Sequence, residues 1–194
     1  MNNDARRSEG AEPLRPAERV NGHAAAPLAA GAGVYAALDL GTNNCRLLIA
    51  CPEGEGFRVI DSFSRIIRLG EGISLTGRIS EAAIGRAISA LSICRDKMRH
   101  RKAQRLRLIA TEACRAASNA EAFRDRVATQ TGIALEVINR ETEASLAAVG
   151  CSPLVDPRGR GAILFDIGGG SSELVRLGRH SGGAPRVEGW MSIP

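Results

Sequence analysis

Aromatic side chains are scarce in this 194-residue chain: one tryptophan, one tyrosine and four phenylalanines make up 3% of it. Its core must therefore be filled by Leu, Ile, Val and Ala. Cysteines are few, scattered and odd in number (Cys45, Cys51, Cys94, Cys114, Cys151), and no CxxC pair occurs. That spacing supports neither a zinc cage nor a disulfide framework and fits a reducing, cytoplasmic setting. No apolar run approaches the roughly 20 residues of a membrane helix. The small-residue stretch from Ala24 to Val34 is broken by Pro27, Gly31 and Gly33, and acids precede it, which argues against a signal peptide. The chain also has no Walker loop, no GxSxG elbow and no HExxH helix. A soluble protein that does not engage membranes is the expectation.

What is present is ordinary globular composition, 44% hydrophobic and 24% charged, with a formal net charge of +5. The basic balance favours acidic partners such as phosphate chains, nucleotides or nucleic acid, without choosing among them. A specific nucleic-acid target is not expected.

Residues 1–33 are rich in Ala, Pro, Gly, Arg and Glu without apolar periodicity, and read as a disordered tail. From Val34 the pattern changes to three strands, Val34–Leu40, Cys45–Cys51 and Phe57–Ile67, forming a meander. A helix follows with Ser80 as N-cap and Ile84, Ile88, Leu91 and Met98 at helical spacing. Next come a strand at Arg105–Thr111 and a helix from Ser118 or Asn119 that buries Phe123 and Val127 and stops at Gly132. A strand at Ile133–Ile138 and a helix from Glu141 to about Gly150 close the unit. Pro153 to Gly161 reads as a linker, followed by strands at Ala162–Ile167, Glu173–Leu177 and near Arg186–Ile193. The order βββαβαβα and then βββ predicts a mixed α/β sheet covered by helices. It divides the chain into a tail (1–33), a first lobe (34–150), and a linker with the opening strands of a second, incomplete lobe (151–194). Three strands without covering helices should expose an apolar face.

One internal similarity organises the chemistry. Tyr35-Ala36-Ala37-Leu38-Asp39-Leu40-Gly41-Thr42-Asn43 resembles Ala162-Ile163-Leu164-Phe165-Asp166-Ile167-Gly168-Gly169-Gly170-Ser171. In each, a buried strand delivers an aspartate and glycine then permits a sharp turn whose backbone amides can approach an anion. Thr42, Ser171 and Ser172 add hydroxyl donors. Facing each other, two such turns could clamp one phosphate, with Asp39 and Asp166 holding a divalent cation directly or through water. Either turn alone reads equally well as a plain hairpin, because Asp-x-Gly is a common turn signal.

Three further residues are candidates. Arg115 follows a strand end, where a guanidinium fork suits a pair of phosphate oxygens. Glu143 opens the third helix and could orient and deprotonate a water. Glu173 follows the second turn and could hold metal or water. Taken alone, these read first as a surface arginine, an exposed helix glutamate and an outward strand residue. The run Arg95, Lys97, Arg99, His100, Arg101, Lys102, Arg105 and Arg107 reads as a solvated helix end before it reads as a steering patch for a polyanion.

Four stretches together resemble the exopolyphosphatase / guanosine pentaphosphate phosphohydrolase (Ppx/GppA) family, within the actin-like ATPase superfamily. They are Ala37-Leu38-Asp39-Leu40-Gly41-Thr42-Asn43, Ala110-Thr111-Glu112-Ala113-Cys114-Arg115, Glu141-Thr142-Glu143-Ala144-Ser145-Leu146 and Phe165-Asp166-Ile167-Gly168-Gly169-Gly170-Ser171-Ser172-Glu173-Leu174. The resemblance implies an actin-like, ribonuclease H-like lobe and hydrolysis of terminal phosphate from polyphosphate or guanosine pentaphosphate, dependent on Mg²⁺ or Mn²⁺. It places the catalytic glutamate on Glu143 and phosphate contacts on Gly41, Thr42, Asn43, Arg115 and Gly168, Gly169, Gly170 and Ser171. Metal positions fall on Asp39, Asp166 and Glu173. Where the family's helix opens Gly-x-Glu-Glu-Ala, this chain has Arg140-Glu141-Thr142-Glu143-Ala144. A homodimer is the assembly to test. Two other readings stay open: another actin-like ATPase or kinase, and a binding module for anionic phosphates without catalysis.

Overall fold

The structure, a computed structural model, describes residues 33–54, 56–156, 158–178 and 186–193. The tail expected over 1–33 lies, Gly33 apart, outside the described residues. Strands β1 (Tyr35–Leu40), β2 (Asn44–Glu53) and β3 (Gly56–Ile66) form the expected antiparallel meander. Period-two alternation decides their faces: Ala36, Leu38 and Leu40 of β1 and Cys45, Leu47 and Ile49 of β2 are all buried, while Ala37 and Asp39 look the other way.

A four-residue helix, α1 (Ile73–Thr76), precedes the long helix α2 (Glu81–His100). Ser80 caps α2 as expected, its hydroxyl accepting from the Ala83 amide at 3.2 Å. The buried stripe of α2 is Ala83, Ile84, Ala87, Ala90, Leu91, Cys94 and Met98. It is richer in alanine than the sequence pattern suggested, and Ile88 packs only at its edge. Small residues let the helix lie close on the sheet. Strand β4 (Arg105–Ala110) then runs parallel to β1.

After β4 comes a short helix that the sequence did not announce, α3 (Glu112–Ala116), and then α4 (Ala120–Thr131). Phe123 and Val127 of α4 are buried, and Gly132 ends it at φ 72°, a left-handed conformation suited to glycine. The strand expected over Ile133–Ile138 shrinks to β5 (Glu136–Val137). Ile133, Leu135 and Ile138 are buried all the same, so their apolar pattern marks a core-filling segment that pairs with β4 only at Ile109 and Ala110. The first sheet has the order β3-β2-β1-β4-β5.

Helix α5 (Arg140–Cys151) is capped by Asn139, whose side chain accepts from the Thr142 amide at 2.8 Å. A 3₁₀ turn (Ser152–Leu154) leads to the antiparallel sheet β6 (Gly161–Ile167), β7 (Ser172–Gly178), β8 (Arg186–Ile193). Ala144 and Ala148 of α5 pack against Val175 and Leu177, so α5 covers this second sheet. Its other face stays open, with Ile163 and Phe165 each 63% exposed and Ile167 81% exposed.

Parallel pairing of β1, β4 and β5 brings their C-terminal ends into one row: Leu40 beside Ala110, and Ala110 beside Val137. The residues that follow those ends are Gly41, Thr111 and Ile138. Three segments that lead to candidate site residues therefore start along a single sheet edge.

Candidate active site

The two turns are built alike. Gly41 donates its amide to the Asn44 carbonyl at 2.9 Å, and Gly168 donates to the Ser171 carbonyl at 2.9 Å. They also touch. A Cβ on Gly169 would lie 3.0 Å from Asn43 Cβ, and one on Gly170 would lie 2.7 Å from Thr42 Oγ1. Glycine is needed at these positions because the second turn approaches the first backbone to side chain. The first turn is braced from behind: the Thr42 carbonyl accepts from the Gly70 amide at 2.9 Å, and the Asn43 carbonyl accepts from Ile67 and Arg68 at 2.8 and 3.0 Å.

Between the turns lies a cavity of about 300 Å³. One wall is Asp39, Gly41, Thr42, Asn43, Asn44 and Arg46; the other is Asp166 to Ser171; Thr111, Glu112 and Glu143 complete it. Asp39 and Asp166 thus meet in one space. Burial pushes the Asp39 carboxyl above the usual carboxylate range; Arg46 opposes this, and the nearby charge of Asp166 adds to it. Arg46 stands opposite Asp39 because the hairpin pairs these two positions. Sequence reasoning passed over Arg46, although counting back from Leu40 opposite Cys45 finds it. In the sequence, Thr111 and Glu112 stand out only as part of a motif.

Glu143 sits in the first turn of α5 and reaches the cavity with its side chain one-fifth exposed. Burial raises its pKa, the Arg115 guanidinium pulls it back, and Glu173 and Asp39 push it up further. A carboxylate raised in this way is better matched to taking a proton near neutrality than an exposed glutamate.

Arg115 does not line the cavity. Its Nη2 donates to Glu143 Oε2 at 2.7 Å and to Glu112 Oε2 at 2.7 Å, its Nε to Glu112 Oε2 at 3.0 Å, and its Nη1 to the Ile138 carbonyl at 2.8 Å. Its fork is thus taken by protein acceptors, and it borders a neighbouring hollow instead. Glu173 also stands back from the cavity. It is 2% exposed and accepts from Ser192 Oγ at 3.0 Å, on a strand position paired with Asp166. The seven phosphate-contact candidates other than Arg115 all line the cavity, as do Glu143, Asp39 and Asp166.

Among the described residues no cluster of three or more His, Cys, Asp or Glu side chains is close enough to cage a metal ion. Two facing carboxylates beside turn amides and hydroxyls still suit a hard divalent cation that keeps most of its water and shares phosphate oxygens. The donor set fits such an ion.

Several members of the basic run are already paired. Lys97 and Arg101 bridge to Asp61 at 2.7 and 2.9 Å, Arg95 to Asp96 at 2.8 Å and Arg107 to Glu136 at 3.3 Å. Among the described residues no helix is long and apolar enough to cross a membrane.

Known proteins resemble this chain in sequence and in fold. The profile of the Ppx/GppA phosphatase family matches residues 48–184. The exopolyphosphatase 2 of Mycobacterium tuberculosis is 37% identical over 155 residues, 75% of this chain and 48% of that protein. The guanosine-5'-triphosphate,3'-diphosphate pyrophosphatase of Aeromonas hydrophila is 30% identical over 148 residues, 76% of this chain and 29% of that protein. The crystal structure of an Aquifex aeolicus Ppx/GppA family member superposes with a TM-score of 0.71 at 32% identity, over 84% of this chain and 51% of that one. An exopolyphosphatase from Cytophaga hutchinsonii superposes with a TM-score of 0.75 at 27% identity, over 82% and 50%. The chain therefore spans about half or less of the length of these relatives.

Proposed function

The chain belongs to the Ppx/GppA phosphatase family, and on that footing we propose that it carries the phosphate-clamping and water-activating part of a phosphohydrolase. Its substrate is inorganic polyphosphate or guanosine pentaphosphate, from which it releases terminal phosphate. The observation that carries this reading is the pair of matched turns in contact, with Asp39, Asp166 and the half-buried Glu143 all lining the space between them.

The terminal phosphoryl group sits between the turns, its oxygens receiving hydrogen bonds from loop amides and from Thr42, Asn43 and Ser171. Glu143 holds a water on the far side of the phosphorus from the bond to be broken. The water oxygen bonds to phosphorus, the bridging P–O bond breaks, and the water proton passes to the Glu143 carboxylate. Arg115 holds Glu143 in place through their ion pair. Ppx/GppA phosphatases are metal-dependent, and Asp39 and Asp166 would hold Mg²⁺ or Mn²⁺ here, with Glu173 behind them. That ion supplies charge neutralisation on the phosphate oxygens.

Residues 34–150 are assigned to a first lobe and 151–194 to the linker and opening strands of a second, joined by α5. The site of action is the cytoplasm, in keeping with five cysteines that form no disulfide.

The test is phosphate release from long-chain polyphosphate, guanosine pentaphosphate and ATP, side by side with binding of each. Glu143→Gln should abolish release while leaving polyphosphate binding largely intact. Unchanged turnover in that variant removes Glu143 from the mechanism. Binding by the native chain with no release under any divalent metal would instead make it a binding module, and release from ATP alone would favour an ATPase.

A further inference from the structure

Beside the clamp lies a second hollow of about 580 Å³, bordered by Glu112, Arg115, Asn139, Arg140, Glu141 and Trp190. Glu112 borders both spaces. Its stem also lies against the second turn, with Cγ 3.3 Å from where a Gly170 Cβ would be. One side chain thus separates the clamped position from the hollow.

The Glu112 carboxylate is gripped by two guanidinium groups. Arg115 donates to it at 2.7 and 3.0 Å, and Arg140 at 2.9 and 3.3 Å. Burial works against its charge, but the hydrogen bonds from Arg115 and Arg140 prevail and hold its carboxyl below the usual range. The two arginines differ in what they have left to give. An arginine carries five N–H donors. Arg115 commits four of them, to Glu112 twice, to Ile138 and to Glu143. Arg140 commits two, both to Glu112, and among the described residues its other three have no partner. Its side chain is 40% exposed, on the border of the hollow.

We infer that Arg140, with Glu112 and Arg115, forms a second phosphoryl subsite beside the clamp, which takes the next phosphoryl group of a phosphoanhydride chain. Glu112 is the internal stand-in: its two oxygens keep both guanidinium groups spread around a tetrahedral anion's place until phosphate oxygens compete for them. Arg140 is well suited to start that exchange because three of its donors have no partner among the described residues. This subsite rests on the phosphohydrolase reading, since the clamped phosphoryl supplies the anchor from which the chain continues.

The experiment is titration calorimetry of the whole chain with orthophosphate, tripolyphosphate and GTP, for the native protein and for Arg140→Gly, Arg140→Lys and Glu112→Gln. Circular dichroism verifies that each variant is folded. Arg140→Gly should weaken tripolyphosphate about tenfold, the loss of charge-assisted hydrogen bonds, and leave orthophosphate within about twofold. Arg140→Lys should recover part of the loss, because a point charge cannot replace the fork. Glu112→Gln should tighten tripolyphosphate by relieving competition for the two arginines. A parallel loss for GTP assigns the subsite to any triphosphate chain, and a loss for tripolyphosphate alone assigns it to inorganic chains. Equal effects on orthophosphate and tripolyphosphate, or none on either, would overturn the subsite while sparing the clamp. A native chain that binds none of the three anions would overturn the phosphohydrolase reading, and the subsite with it.

Discussion

Arg115 donates from Nη2 to Glu143 Oε2 at 2.7 Å, tying the short helix after β4 to the first turn of α5 across 28 residues of sequence. Because Arg115 opposes the burial of Glu143, removing it has a signed consequence. In Arg115→Met, burial and the charges of Glu173 and Asp39 act on Glu143 unopposed, and its pKa rises further. The acid limb of phosphate release should then move to higher pH, and carboxyl ¹³C titration of Glu143 should move the same way. A limb that stays in place would show that the ion pair does not tune the base.

Two glycine-to-alanine changes should separate close approach from chain entropy. At Gly170 an added Cβ meets Thr42 Oγ1 at 2.7 Å, whereas at Gly85 in α2 nothing lies within 4 Å. Gly170→Ala should weaken phosphate binding by about tenfold or more, because the turns are pushed apart in the clamp. Gly85→Ala should leave binding unchanged and stabilise the fold by about 0.5–1 kcal/mol in chemical denaturation. Similar effects from both would mean that the contact between the turns does not matter.

Asp61 cross-links β3 to α2, accepting from Lys97 and Arg101 with its own side chain only 14% exposed. Burial disfavours its charge, but hydrogen bonds from Lys97, Arg101 and the Ser62 amide outweigh this and lower its pKa. A lowered folded-state value means stability that is fully present above the unfolded value, near pH 3.9, and lost as pH falls through the folded one. Because Lys97 and Arg101 are about one-third exposed, the contribution is discounted for solvent screening to about 1 kcal/mol. Asp61→Asn should cost that much at pH 7 in urea denaturation, and the gap to the native protein should close as pH falls through the lowered folded-state value. A gap that persists in acid would assign the effect to packing.

The open face of β6–β8 carries Ile163, Phe165, Ile167, Met191 and Ile193, all more than half exposed. Apolar surface of this kind seeks a cover. Light scattering should find the native chain self-associating at micromolar concentration, in line with the homodimer expectation. Ile163→Lys with Phe165→Lys should shift it to monomer without loss of helical signal. A native chain that stays monomeric and binds no apolar dye would remove this face from the account of assembly.

Much of the site could be read before the fold was known, because it depends on local chemistry. Glycine next to a strand-end carboxylate forces the same turn twice, and both turns close with the same 2.9 Å hydrogen bond. Ser80 and Gly132 marked helix ends because capping is satisfied within a few residues. Less legible was the pattern Ile133–Ile138, whose apolar residues fill the core while only Glu136 and Val137 pair, since β4 offers only Ile109 and Ala110 there. The short helices α1 and α3 were missed because four or five residues carry no helical period.

The amino-acid order by itself determined the two turns, the strand-to-helix punctuation and the identities of Asp39, Asp166 and Glu143 as candidates, because backbone conformation and side-chain chemistry there are set within a few residues. Tertiary structure alone decided that Arg115 spends its fork on Glu112 and Glu143, that Glu173 lies buried against Ser192, and that Arg140 keeps donors to spare. Those outcomes depend on parallel pairing of β1, β4 and β5, which carries segments distant in sequence to one edge of the sheet. Charges brought together in that way settle their partners through distance and burial, which no local pattern encodes.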